Sequence, residues 1–405
     1  MLICFFFSNL ELIEMAKSSN MLHIYTLLWS VYFLQGTVFS QYGGSIAQLI
    51  LVALLLFSFI SFLYVNINFR INSYLKALNL LILMFTIYGV VRILLQDSIF
   101  RGHIVKELIP FYYLKNIYIS LLPIYVYYLF AKLGILDQKR LKLYLCFFLV
   151  IVSLSYIENY MNVSKSAERE EITNNMGIRF MTLIPMLFFF EKRRLLQYAA
   201  LVYILTFVVM GMKRGAILLG AILAIYFLYH SLKEASQREK LYLFLLSFVA
   251  SILIFLVVQD LMANSAYFQR RVEQTLEGNA SGRDSIYSML WYSFLENGSL
   301  FHCLFGFGAD ATIQFAGNYA HNDWLELLIN NGLLGVCLYA WYWRTFYNME
   351  KKIEDVQIKN ASVAYFIALF VLTFYSMSYA SMNIFTTMGV GYCVEKADYK
   401  SELKK

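Results

Sequence analysis

The sequence predicts an all-α, polytopic membrane helix bundle of about twelve transmembrane helices, the last two short, with a partly helical extracytoplasmic loop. Three observations predict it. Of 405 residues, 60% are hydrophobic and only 15% charged, too little polar surface to coat a soluble globule of this size. The apolar residues fall in long runs of helical length with only three prolines in the chain, which argues against the alternating strands of an outer-membrane barrel. Basic residues gather in every second linker between those runs, as the positive-inside rule expects.

Residues 1–21 form a cytoplasmic N-terminus. Their apolar patch is short and has no basic residue before it, so it does not read as a secretory leader, and Met15 and Met21 are alternative starts. Nine membrane helices are expected within 22–261, at 22–40, 46–66, 77–95, 113–131, 143–158, 178–190, 195–211, 215–232 and 241–261. A large extracytoplasmic loop follows at 262–323, then a tenth span at 324–343. The last apolar tract, 362–394, is too long for one span and short for two full ones at about 1.5 Å per residue. One span would leave Lys396, Lys400, Lys404 and Lys405 outside, so two short helices turning near 378–381 are preferred, with a cytoplasmic tail at 395–405. The basic linkers carrying Arg70 and Lys76, Lys139 and Arg140, Lys192 to Arg194, Lys233 and Arg238, and Lys351 and Lys352 then share the cytoplasmic side with both termini. The net charge of +7 is spread over these linkers, which points to a lipid bilayer and away from nucleic acid as the partner. Of the five cysteines only Cys303 lies in a long polar loop, so no disulfide between loops is expected.

The chemistry is sought in the segments between spans. Within 262–323, SGRDSIYSMLWYSFLENG reads as an amphipathic helix near 282–297: Ser281 and Asp284 form a capping start, Ile286, Leu290 and Phe294 share one face, and Gly298 ends it. Arg283 falls in its first turn. A cation there opposes the helix dipole, yet a phosphate held between the two would gain from both; the alternative is a surface pair with Asp284 or Glu273. Tyr287, Trp291 and Tyr292 would either stack on sugar rings or pack the helix onto the bundle. In AHNDWLELL, Asp323 and Glu326 read as a capping box for the tenth span, and His321 just before it is either a general base or a solvated interfacial group. GMKRGA places Lys213 and Arg214 in a very short outside turn, against the inside rule; their compensation is an anionic ligand or the acidic Glu168, Glu170 and Glu171. Arg179 poses the same question. Arg92 and Lys115 are expected to snorkel from the outer ends of their spans, the Gly306–Gly308 stretch is a turn signal, and His302, Cys303 and His321 do not form a recognisable metal set.

Taken together, R-G after a span, S-G-R-D in a long outer loop, a G-F-G turn, and A-H-N-D-W-L-E-L-L entering the next span resemble the O-antigen polymerase and O-antigen ligase superfamily of bacterial membrane glycosyltransferases. The motifs cover roughly 205–345; before that, the resemblance rests on hydropathy alone. It implies a GT-C-like enzyme of the bacterial inner membrane, without metal or other cofactor, that acts on an undecaprenyl-diphosphate-linked oligosaccharide at the outer face, with a chain-length regulator protein as a further partner. Carried over, it implies Arg214 and Arg283 on the diphosphate and His321 as the proton acceptor or acceptor-aligning group, with Lys213, Arg179, Tyr287 and Trp291 as substrate-binding candidates. Tyr319 stands where some ligases carry a second histidine, which leans toward a polymerase.

Overall fold

A computed structural model describes residues 19–35, 44–99, 110–165, 175–190, 194–264, 269, 272–273, 283–380 and 382–403. The N-terminal patch, the end of the first expected span, Glu168, Glu170 and Glu171, Lys192 and Arg193, the cap residue Ser281, and Lys404 and Lys405 lie outside the described residues. Among the described residues the regular structure is helical, without strands. Five stretches are long and apolar enough to cross a membrane: Ser45–Asn68, Ser73–Leu94, Tyr112–Lys132, Gln138–Met161 and Arg214–Glu234. Met176–Phe189, Arg194–Met210 and Val356–Leu372 are apolar and shorter. The protein is a helical bundle built for a membrane.

The helices are α1 (Ser19–Gln35), α2 (Ser45–Asn68), α3 (Ser73–Ile99), α4 (Pro110–Leu121), α5 (Pro123–Lys132), α6 (Gln138–Lys165), α7 (Met176–Met181), α8 (Arg194–Met210), α9 (Arg214–Glu234) and α10 (Gln237–Asn264). After them come three short helices of the loop region, α11 (Arg283–Asn297), α12 (Leu300–Phe305) and α13 (Ala311–Ala316), then α14 (Asp323–Glu350), α15 (Val356–Leu372) and α16 (Ile384–Leu403). Prolines interrupt two of the expected spans. Pro123 lacks the N–H that would continue α4, so the chain restarts as α5. Pro185 does the same after α7, and the chain tightens into a 3₁₀ turn at Ile184–Phe189. The last apolar tract is divided between α15 and α16 by a connection whose described residues, 373–380 and 382–383, are irregular, and α16 runs on through the segment read as a tail.

Small residues let the central helices approach. A Cβ on Gly391 of α16 would lie 2.7 Å from the Ile124 carbonyl oxygen of α5, and one on Gly389 would enter the Tyr365 ring of α15. Around this contact the core is strongly aromatic, and two hydroxyl contacts tie its helices: Tyr74 meets Tyr342 at 2.9 Å, and Tyr128 donates to Asp398 at 2.8 Å, fixing the end of α16.

Helix α14 is broken at Gly332, where φ is +65°. Here the Gly306–Gly308 turn is more than punctuation. Phe307 N–H donates to Ile329 O at 2.8 Å and Gly308 N–H to Asn330 O at 3.0 Å, taking up carbonyls at the break. The backbones are so close that a Cβ on Gly332 would lie 2.5 Å from Leu304 C, and one on Gly306 2.4 Å from Asn330 C. The loop segment carries a small core of its own on this dock. Ile286, Leu290 and Phe294 of α11 pack with Phe307, Phe315, Ala311 and Ile329. Arg92, expected to snorkel, is instead buried and ion-paired with Asp310, because the 306–316 segment folds back over the end of α3 and brings a carboxylate to it. Lys115 lies over the Tyr112 ring at 4.3 Å.

A side chain at Gly332 is expected to dismantle the dock. Gly332→Ala should cost at least about 2 kcal/mol through positive φ and the backbone clash, whereas Gly134→Ala, at φ +72° with open space around it, should cost only about 1 kcal/mol. Thermal unfolding of the two variants in detergent checks the ordering; equal losses would contradict the dock.

Candidate functional site

Four segments meet at one end of the bundle. The first is the turn between α8 and α9. Met212 takes φ +52° there, and Lys213, extended at φ −94° and ψ 105°, stands as the residue before the first turn of α9. This geometry aims Lys213 Nζ at Asn175 Oδ1, 2.7 Å away beside α7. Gly215 is required next: a Cβ would lie 2.5 Å from the Tyr375 ring, whose hydroxyl donates to Gly215 O at 2.9 Å. Tyr375 thereby ties the basic turn to the connection after α15. Arg179 enters from α7, and Arg283 is the first residue of α11.

His321 comes from the fourth segment and is held in the left-handed region at φ +52°. Its neighbours on both sides are fixed. Ala320 N–H donates to Glu326 Oε2 at 2.7 Å, and Asp323 N–H donates to Thr373 O at 2.8 Å. The expected capping box of Asp323 and Glu326 is not what starts α14. Asn322 is the cap, its Oδ1 accepting from Trp324 N–H at 3.0 Å and Leu325 N–H at 3.1 Å, which leaves both carboxylates free to turn inward. Asp323, fully buried, accepts from Ser378 N–H at 3.0 Å, from Ser378 Oγ and from the Tyr339 hydroxyl. Glu326, also fully buried, accepts from Thr312 Oγ1 and from Asn330 Nδ2 at 3.0 Å. Two carboxylates thus clamp the His321 turn between α13, α14 and the 373–383 connection.

The electrostatics join these segments into one site. Burial, then the Arg283 guanidinium and then Arg179, bring the Lys213 ammonium down to about 8. Burial, then Arg283 and then Lys213, hold His321 below its ordinary value. Arg283 and Lys213 therefore act on His321, and Arg283 and Arg179 act on Lys213. Lys213 is one of the two cations that lower His321, and Arg214 is the half-buried first residue of α9. Among the described residues Arg283 makes no ion pair with Asp284 or Glu273. On α11, Tyr287 is half-buried, while Trp291 is 49% exposed and stacks on Phe294 of the same helix at 5.9 Å. Beside Lys213 and Arg179 lies a cavity of about 190 Å³, with Asn175, Ser378 and Asn383 on its polar side and Leu369, Leu372 and Met382 on its apolar side.

Such a site can hold a polyanion against a group of cations beside a neutral imidazole that retains a lone pair for a proton. Among the described residues no three His, Cys, Asp or Glu side chains converge as a metal set. The sequence reading missed Glu326, Asp323, Ser378 and Asn330 as the frame around His321. The only trace of them was the Asp323–Glu326 spacing, which has the same form for a solvent-facing helix start. No family model matches the chain, and no curated protein matches it.

Lys213 makes a pH prediction. An unfolded lysine keeps its proton to about 10.5, and the folded one releases it near 8, so the folded state binds fewer protons in between and gains stability as pH rises through that window. Lys213→Met should be more stable than the wild type at neutral pH, with the gap closing from pH 8 to about 10.5. Denaturation midpoints of both proteins across that range measure it; a gap independent of pH would contradict the shared field.

Proposed function

We propose that this protein is a membrane glycosyltransferase that joins polyprenyl-diphosphate-linked oligosaccharide units at the outer face of the bacterial inner membrane, as an O-antigen or capsule-type polysaccharide polymerase. In this reading about twelve membrane elements of GT-C-like arrangement place both termini in the cytoplasm and the α11–α13 region outside. The observation that carries it is the convergence, at one end of the bundle, of an imidazole kept neutral with the cations Lys213, Arg283 and Arg179. The resemblance of the R-G, S-G-R-D, G-F-G and A-H-N-D-W-L-E segments to the O-antigen polymerase and ligase superfamily supplies the substrate class.

The chemistry requires little else. His321 takes the proton from a hydroxyl of the acceptor sugar; that oxygen attacks the anomeric carbon as the bond to the diphosphate oxygen breaks. The departing diphosphate keeps the bonding electrons, and its charge is met by Lys213, Arg283, Arg214 and Arg179. Attack from the side opposite the diphosphate inverts the anomeric centre. Charge-assisted hydrogen bonds contribute about 1.5–3 kcal/mol each, and general-base help about 100- to 10,000-fold. Half-buried Tyr287 and exposed Trp291 of α11 would line the path of the sugars. Transfer of a glycan to lipid A core, the ligase reaction, uses the same parts with a different acceptor.

A second reading, a flippase for the same lipid-linked glycan, is favoured by the break in α14 and by the buried charges Arg92, Asp310, Asp323 and Glu326, features common at transporter sites. Purified protein given defined lipid-linked units separates the readings: longer glycans are expected from a polymerase and none from a flippase.

Arg214→Ala, Arg283→Ala and His321→Ala should each lower polymer formation by about 100-fold or more while the protein remains in the membrane. Arg283→Lys, which keeps charge but loses the planar fork, should still be severely impaired. Normal chain-length ladders on a gel from any two of the alanine variants would contradict the mechanism. Because His321 lies below its ordinary value, the acid limb of the rate profile is expected below pH 6.5, moving upward in Lys213→Met as one repelling charge is removed. A limb that stays in place in that variant would remove His321 as the titrating base.

A further inference from the structure

The opposite end of the bundle, where α8 begins and α9 ends, holds a polar cavity of about 550 Å³. It is separate from the His321 cluster and is lined in part by Phe188, Phe227, Glu234, Glu239 and Asn360. Much of its polar lining is already committed to the fold. Arg194 donates to Glu234 O at 2.7 Å and to Ser231 O at 3.4 Å and pairs with Glu239 at 3.3 Å, so it closes the C-terminus of α9. Gln197 Nε2 donates to Phe190 O at 2.6 Å and Leu187 O at 3.0 Å, which closes the 3₁₀ turn. Gln357 donates to Glu234 Oε2 at 3.0 Å.

Asn360 differs from these. It is 5% exposed, lines the cavity, and its Nδ2 has no acceptor among the described residues. A buried donor without a partner is costly, and native proteins rarely leave one unless something else comes to meet it.

Donor and acceptor balance indicates what that is. Asn360 offers N–H and needs an acceptor, while Glu234, which accepts from Gln357, and Glu239, which pairs with Arg194, keep further lone pairs for donors. An anion would satisfy the first and be repelled by the second. A simple ammonium would satisfy the second and leave Asn360 unmet. A hydroxyl both donates and accepts, and the accessible lining of the cavity is mainly polar. We propose that this cavity binds a neutral, hydroxyl-rich ligand, a sugar unit, at the end of the bundle opposite His321. The site stands whether or not the glycosyltransferase reading holds.

The test uses the full chain in nanodiscs prepared without sugar-headed detergent, titrated with D-glucose, N-acetyl-D-glucosamine and myo-inositol and followed by saturation-transfer NMR. A second arm compares plain nanodiscs with nanodiscs containing a glucosyl diacylglycerol, following the thermal midpoint. Saturable binding in the first arm identifies a soluble sugar; stabilisation confined to the second identifies a lipid-borne one. In either case the effect should fall about tenfold or more in Asn360→Leu and in Glu234→Ala, and persist in Arg283→Ala. Asn360→Leu removes an unpaired donor and should keep the fold, and Glu234 is exposed, so its loss tests the same cavity from a position the core does not need. No saturable effect in either arm, or one that survives both cavity variants, overturns the proposal, as would Asn360-dependent binding of inorganic phosphate in preference to the sugars.

Discussion

The arrangement at the His321 end depends on one constraint: α14 cannot run unbroken through the bundle. Gly332 turns the backbone aside, and the Gly306–Gly308 turn docks on the break with two backbone hydrogen bonds. Everything from Arg283 to His321 is then carried on the interrupted helix rather than swinging from it. The dock gives the loop a core, the Arg92–Asp310 pair anchors it to α3, and the buried carboxylates of Asp323 and Glu326 set the final turn before the helix.

That frame holds an arrangement which is locally unfavourable. Met212 and His321 both take positive φ, each at a cost of about 1–3 kcal/mol, and they flank the basic cluster. Burial, and after it the repulsion from Arg283 and Arg179, lowers Lys213. Strain and like charge in one place are tolerated where the surroundings over-determine the geometry, here by two carboxylates, a helix cap and the Tyr375 contact with Gly215. A ligand carrying negative charge would relieve the repulsion, which links the packing of the bundle to the proposed chemistry.

Much of the fold was legible because lipid imposes simple rules. Long apolar runs marked the helices, and the face formed by Ile286, Leu290 and Phe294 was readable at period 3.6; it is the face that packs. The break at Gly332 was not legible, since a lone glycine in an apolar run reads as a tolerated residue, and only its pairing with Gly306 in space gives it a role. Arg92 was misread for a similar reason: its partner Asp310 lies far along the chain, and periodicity carries no information about such pairs. The candidate site was partly legible. Lys213, Arg283 and His321 stood out by position, but the inward turn of Asp323 and Glu326 follows from how Asn322 takes the cap.

Whether the basic cluster receives a lipid diphosphate is tested most directly by an electron cryomicroscopy structure of the protein in nanodiscs with undecaprenyl diphosphate bound. The diphosphate is expected within charge-assisted hydrogen-bond distance of Lys213 and Arg283, with His321 facing the side from which an acceptor hydroxyl would approach. Density for the diphosphate at a distant part of the bundle, with the space between Lys213, Arg283 and His321 filled by solvent, would contradict it.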